Sequence, residues 1–325
     1  MTTTSRRRFL TLSGAALATP ALARFAGAQT WPAKSIRAIV PFTAGSTVDI
    51  IGRVVLDPLS QLLGQTIVIE NRGGAGGTIG SAAVAKADPD GYTLLINASA
   101  HSAAPAAYPS ITYDPAGDFA AIIPFGSVPN VMVIAPSKGI KTVRELAARA
   151  QAGGMTYASA GTGSATHWAA ERFRVSAGFK ATHIPFRGGP EALTEVMTGR
   201  VDFMCIGITS GLPLIRDHQL LALAVSSPQR TPTLPQVPTT LESGFADSDY
   251  IFWNGMLAPA KTPPAIVERL YRETQKVLAM PAVQAKFAPL GIDPMPMSPK
   301  EFDALIRKEI DTNKKLAQAA GLKFN

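Results

Sequence analysis

The chain is short of cysteine, of histidine and of charge. Cys205 is its single thiol, so no disulfide can close within it. It lies in the apolar run Val201-Asp202-Phe203-Met204-Cys205-Ile206, which reads as a buried strand with no base beside it. A small core hydrophobe is the reading that follows. The four histidines, His101, His167, His183 and His218, show no metal-ligand spacing, so no metal is expected. No Gly-x-Ser-x-Gly elbow occurs, and no carboxylate pair stands out, so no catalytic residue is expected either. Charged residues make up 17% of the chain and, beyond residue 28, no basic run exceeds Lys314-Lys315. Nucleic acid wants a clustered basic face and is excluded as a partner. Beyond the leader there is no apolar run of the roughly 20 residues that a membrane-spanning helix needs.

What is present begins with an export signal. Ser5-Arg6-Arg7-Arg8-Phe9-Leu10 has the twin-arginine form, Thr11 to Ala23 is weakly apolar, and Ala26-Gly27-Ala28 offers a small-x-small cleavage site. The expectation is a protein exported to the periplasm by the twin-arginine route, with residues 1–28 removed. The 297 residues left fit about two domains. With 46% apolar residues the body is globular. The leader carries Arg6, Arg7, Arg8 and Arg24 and no acid, so the net charge falls from +8 to +4. That mild positive balance suits an anionic ligand.

The body alternates short β-branched runs with helical patterns, which predicts an α/β fold with a mostly parallel sheet. Strands are expected at 35–42, 66–70, 93–97, 131–135, 156–158, 181–185, 201–206 and 221–225. Helices are expected at 48–64, with a kink at Asp57-Pro58, and at 79–87, 143–152, 165–177, 190–198 and 299–320. Thr142 with Glu145, and Ser298 with Glu301, have the capping-box spacing. Phe125 to Asn130 and the apolar run Ile251 to Ala258 read as two crossings between lobes.

Two strand-to-helix turns are candidate sites. Pro41 to Asp49 contains Phe42, Thr43, Ala44, Gly45, Ser46 and Thr47; Ala158 to His167 contains Gly161, Thr162, Gly163 and Ser164. Ligands of open α/β sheets bind outside the carboxyl ends of strands, and helix N-termini offer free N–H groups to an anion. An ordinary capped turn explains either stretch equally well. If the lobes face each other, the two turns grip one anion from both sides. Asn71 to Gly80 is glycine-rich but spaced Gly-x-Gly-x-x-x-Gly, not as a dinucleotide loop; it reads as a flexible loop at the cleft rim. Arg187, after Phe186, is either a carboxylate clamp or a solvated surface residue. Ser99 and His101 either line the cleft or belong to a structural loop. Asp49 and Asp202 are read as supports of helix starts or of the hinge. No cofactor motif survives inspection.

The body resembles the extracytoplasmic receptors of tripartite tricarboxylate transporters, the Bug family of solute-binding proteins. The markers are Val40-Pro41-Phe42 with Gly45 and Asp49, Glu70-Asn71-Arg72 with Gly74 to Gly77, Asp88-Pro89-Asp90-Gly91-Tyr92, Gly161-Thr162-Gly163-Ser164 with His167, Gly199-Arg200-Val201-Asp202 and Trp253-Asn254-Gly255. The resemblance implies a two-lobed periplasmic-binding-protein fold, type II-like, with two α/β domains flanking a ligand cleft. Lobe 1 would comprise 29–128 plus 254–325, and lobe 2 would comprise 129–253. It implies a small carboxylate ligand held by backbone N–H groups and waters from Phe42 to Thr47 and Gly161 to Ser164, with Ser99, His101, Phe186 and Arg187 as cleft wall. Integral-membrane transporter subunits would be its partners, and it would act as a monomer without catalysis or cofactor. The family's first turn usually reads Pro-Phe-x-Pro-Gly-Gly; Ala44 and Ser46 depart from it, so the ligand preference is expected to differ. Two other readings stay open from sequence: a periplasmic cofactor enzyme, and a ligand sensor for a membrane kinase.

Overall fold

In a computed structural model that describes residues 31–319, strand and helix alternate from Ile36 to Val225. The expected leader and its cleavage site lie outside the described residues. β1 (Ile36–Val40) leads into α1 (Thr47–Leu63). Ile51, Val55 and Leu59 recur at helical spacing and are buried. Ser46 Oγ accepts from Asp49 N–H at the helix start, and Gly64 ends the helix with φ 70°. The helix runs unbroken through Pro58, which lacks the N–H that would bond the carbonyl four residues back. β2 (Ile67–Asn71), α2 (Thr78–Ala85), β3 (Thr93–Ala98) and α3 (Ala100–Ala107) follow.

β4 (Phe119–Ile134) is a 16-residue strand. After it come α4 (Val143–Gln151), β5 (Thr156–Ser159), α5 (Ala165–Ser176), β6 (Thr182–Pro185), α6 (Gly189–Met197), β7 (Phe203–Gly207), α7 (Ile208–Arg216) and β8 (Leu221–Val225). β9 (Ile251–Pro259), α8 (Pro264–Leu278), α9 (Pro281–Phe287) and α10 (Pro299–Ala319) complete the described chain.

The strand order is β2-β1-β3-β9-β4-β7-β5-β6, with β8 paired to β4. β2, β1 and β3 are parallel, as are β6, β5 and β7. Each set is closed by an antiparallel neighbour, β9 beside β3 and β4 beside β7. β4 pairs with β9 over Phe119 to Pro129, then with β7 and β8 over Asn130 to Ile134. One strand therefore belongs to both halves and changes partner at Pro129/Asn130. Pro124 and Gly126 are tolerated in it because the pairing register shifts at Ala121/Ile123 and Pro124/Gly126.

A core of buried apolar side chains extends through both halves. A second cluster fills the opposite face of the first half, where Trp253 meets Phe302 of α10 edge to face at 4.8 Å. α10 starts with a reciprocal capping box: Glu301 N–H donates to Ser298 Oγ and Ser298 N–H donates to Glu301 Oε2. Further along, Glu309 Oε2 accepts from Trp253 Nε1 at 2.8 Å and from Ser102 Oγ at 2.6 Å. Among the described residues no helix is long and apolar enough to cross a membrane.

Candidate functional site

The two small-residue turns meet. The first leaves β1 and starts α1; the second leaves β5 and starts α5. Between them is a cavity of about 30 Å³ whose lining includes Phe42, Ser46, Thr47, Ser164, Ala165 and Thr166, with Ile206 and Phe252 as apolar wall. No ionisable side chain lines it. The first N–H groups of a helix have no acceptor within the helix, so Thr47 and Val48 of α1 and Ala165 and Thr166 of α5 bring two sets of donors to one space. The positive ends of two helix dipoles add to them.

Each turn is held from behind. In the first, Asp49 is buried and accepts from Gly45 N–H (2.9 Å), Asn71 Nδ2 (2.9 Å) and Arg53, which grips both of its oxygens. Burial alone would raise the Asp49 pKa; Arg53, Gly45 N–H and Asn71 outweigh it and hold the carboxyl below its usual value. Asn71 Nδ2 also donates to the Phe42 carbonyl. Asp49 thus supports the helix start, as expected. In the second turn Ser164 Oγ caps α5 through His167 N–H, and Ala160 N–H donates to Thr166 Oγ1. Ser46, whose hydroxyl departs from the family pattern, spends that hydroxyl on its own helix.

The turns also touch across the cleft. Thr47 Oγ1 lies 2.9 Å from Ser210 Oγ, which donates to the Gly45 carbonyl. Tyr108 donates its hydroxyl to the Thr162 carbonyl at 2.9 Å. Gly76 packs on that same carbonyl so closely that a Cβ would come within 2.0 Å of it. Gly188 lies against Thr43, where a Cβ would be 1.8 Å from Oγ1. The Asn71 to Gly80 loop therefore sits at the rim. Beside it a larger cavity of about 590 Å³ opens, lined by Tyr108, Thr162, Phe186, Arg187 and Glu191.

Of the residues singled out by sequence, Phe42, Ser46, Thr47 and Ser164 line the small cavity. Gly161, Thr162, Phe186 and Arg187 line the rim, and Arg187 is exposed. Thr43 faces Gly188, Ala44 and Gly45 form the exposed tip of the first turn, and Gly163 packs on Ala107 and Tyr108. Two expectations need correction. His101 turns into the core of the first half: its ring meets Phe119 edge to face at 4.7 Å and its Nε2 lies 2.9 Å from the Pro115 carbonyl. Burial pushes its pKa down to about 4. Ser99 is buried with its Oγ 3.2 Å from Tyr250 Oη, and it is not among the residues around either cavity. Both residues stand at the start of α3, Ser99 just before it and His101 in its first turn, where no helix is expected from the sequence. Asp202 sits away from the hinge, bound to Lys138 and Thr156. Tyr108, Ser210, Ile206 and Phe252 were missed. Gly188-Gly189 carried the same strand-to-helix signal as the two turns and could have been found by it.

Residues 51–322 match the profile of the tripartite tricarboxylate transporter family receptor. The chain is 34% identical over 324 residues to protein BugT of Bordetella pertussis, which covers 98% of each chain. It superposes on Rpa4515 of R. palustris, solved with adipate, with a TM-score of 0.86, 31% identity and coverage of 90% of this chain and 98% of that one. MatC of Rhodopseudomonas palustris, solved with bound malate, gives 0.84, 30%, 88% and 99%. Full-length likeness at this level carries the fold of periplasmic binding proteins with it.

Proposed function

Because the chain belongs to the tripartite tricarboxylate transporter family of receptors, we propose that it captures a small carboxylate between α1 and α5 and presents it to membrane subunits of a transporter. The observation that carries this reading is the small cavity with helix N-termini on two sides and no ionisable side chain around it. Helix starts and hydroxyls favour an anion without neutralising it by a fixed cation. The apolar wall of Phe42, Ile206 and Phe252 suits the carbon skeleton of such an acid. The adipate and malate held by the two superposed proteins support the ligand class.

The two halves act as lobes, 29–128 plus 254–325 and 129–253, hinged where β4 changes partner. The Phe42 to Thr47 and Gly161 to Ser164 turns are the grip, and Phe186 and Arg187 stand at the mouth. The protein works as a monomer outside the cytoplasm, exported by the twin-arginine leader, and catalyses nothing. Burial pushes the thiol of Cys205, the single cysteine, up to about 12, which disfavours the thiolate that a nucleophile needs.

The test is a melting-temperature screen of the purified protein against mono-, di- and tricarboxylates, after denaturation and refolding to strip copurified ligand. A rise with at least one acid is expected, followed by a one-to-one stoichiometry in calorimetry. No rise with any acid across the panel overturns the ligand class.

A further inference from the structure

Behind the second turn lies a stacked pair of imidazoles. His167 of α5 and His183 of β6 are parallel within 7°, with ring centroids 3.8 Å apart. Tyr157 stacks on His183 at 4.9 Å. Each imidazole is tied to one of the two glycines that flank Thr162. Gly163 N–H donates to His167 Nδ1 at 3.0 Å. Gly161 N–H donates to Ser159 Oγ at 3.1 Å, and that oxygen lies 2.7 Å from His183 Nε2.

The direction of the bonds at His167 is forced. A backbone N–H can only donate, so Nδ1 carries no proton and the ring proton sits on Nε2. Nε2 is 3.1 Å from Tyr157 Oη, which must therefore accept. Tyr157 gives its own proton to Glu171 Oε1 at 2.5 Å. Glu171 is held by Arg174 through two bonds of 2.7 Å each. The donors all point one way, from Gly163 through His167 and Tyr157 to a carboxylate clamped by a guanidinium. Chains of this kind polarise each member and fix a single arrangement.

We infer that His167 is a positioning residue of the ligand site: its neutral ring, protonated on Nε2, holds Gly163 and so sets the orientation in which the second turn presents its N–H groups to a carboxylate. The inference rests on the receptor reading for its purpose, though not for its geometry. Gly163 is left-handed, with φ 72°, and Thr162 beside it bears the carbonyl that meets Tyr108 and Gly76 across the cleft. One buried ring therefore governs both the grip and the seam. The titratable groups that face it are Glu171 and Arg174 on its own helix, Tyr157 on β5, His183 on β6 and, through Tyr157, the buried Cys205 thiol of β7. Burial, His183 and Arg174 together push the His167 pKa down to about 2. Burial pushes His183 down to about 4, against the pull of Glu171. A proton on Nδ1 would face the Gly163 N–H, and a charge on either ring would face the other ring.

The experiment uses the purified protein labelled with ¹⁵N at histidine and glycine. Its nitrogen shifts should show His167 as the Nε2–H tautomer, unchanged between pH 5 and pH 8. Tyr157→Phe removes the acceptor of that proton and keeps the aromatic stack. In it, Gly163 amide exchange should quicken roughly five- to tenfold while β7 amides keep their rates. Affinity for malate and adipate should fall by a similar factor. An Nδ1–H tautomer, an imidazolium at pH 7 or an unchanged Gly163 exchange rate overturns the proposal, and so does faster exchange with unaltered affinity. The wild-type tautomer decides the matter even if Tyr157→Phe fails to fold. A wild-type protein that binds no acid of any class sinks the receptor reading instead, and the tautomer and exchange results then judge the positioning by themselves.

Discussion

Three of the four histidines are neutral rings inside the fold, His101 and His167 buried and His183 half-buried, each for a different local purpose. His101 packs among Tyr113 and Phe119, His167 accepts from Gly163, and His183 stacks on His167 with Tyr157 beside both rings. Their pKa values in the fold are depressed, to about 4 for His101 and His183 and about 2 for His167. Each sits at 6.5 in the unfolded chain. A depressed value means stability that is present above 6.5 and lost as pH falls toward the folded value. The expected contribution of these rings to stability is flat above about pH 7 and falls between pH 6.5 and pH 4, by up to about 1.4 kcal/mol per pH unit for each proton taken up on unfolding, and lowers the melting temperature over that range. His101→Leu or His183→Phe should flatten the drop in scanning calorimetry; an undiminished drop would assign it to other groups.

Elements differ in how the chain encodes their placement. α10 is fastened by a carboxyl that has no cationic partner among the described residues: Glu309 accepts from Trp253 and Ser102, and burial raises its pKa. A raised carboxyl contributes stability below its unfolded pKa and loses it as pH rises through the folded value. Glu309→Gln keeps an acceptor for Trp253 Nε1 and carries no charge. Its melting temperature should exceed that of the wild type by a margin that grows as pH rises above the ordinary carboxyl range. Glu309→Ala should instead cost about 1–3 kcal/mol, because Trp253 Nε1 is left unpaired. None of this was readable beforehand, since a lone Glu in a helical pattern looks solvated. The first-half strands and α1, α4, α5 and α6 were readable, because their apolar period and caps are local. β4 was read only from Val131 on, because Pro124, Gly126 and Pro129 look like breakers until the register shifts opposite β9 are known. α3 and α7 were hidden by Pro105 and by Gly211 with Pro213. At the site the two turns were legible as small-residue strand ends, whereas Ser210 and Tyr108 reach them only through tertiary contact.

At the scale of the whole molecule the two halves meet through glycines. Gly76, at φ 60°, lies where a Cβ would meet the Thr162 carbonyl at 2.0 Å. An alanine there clashes only while the halves are in contact, and parting them relieves it. Gly76→Ala should therefore lower carboxylate affinity by tenfold or more while costing the ligand-free fold only about 1–2 kcal/mol for the left-handed backbone. Its radius of gyration in solution scattering should exceed that of the wild type at saturating acid. An unaltered affinity would mean that the seam is not part of capture. The order of β3, β9 and β4 in the sheet has another consequence, one of timing. β9 lies between two strands that the ribosome makes long before it. The facing edges of β3 and β4 wait unpaired while about 120 further residues are added, about 6 to 24 s at common synthesis rates. Open strand edges invite other chains. A chain stopped before residue 250 should accordingly aggregate, whereas the same fragment supplied with a peptide covering Ile251 to Pro259 should stay in solution longer.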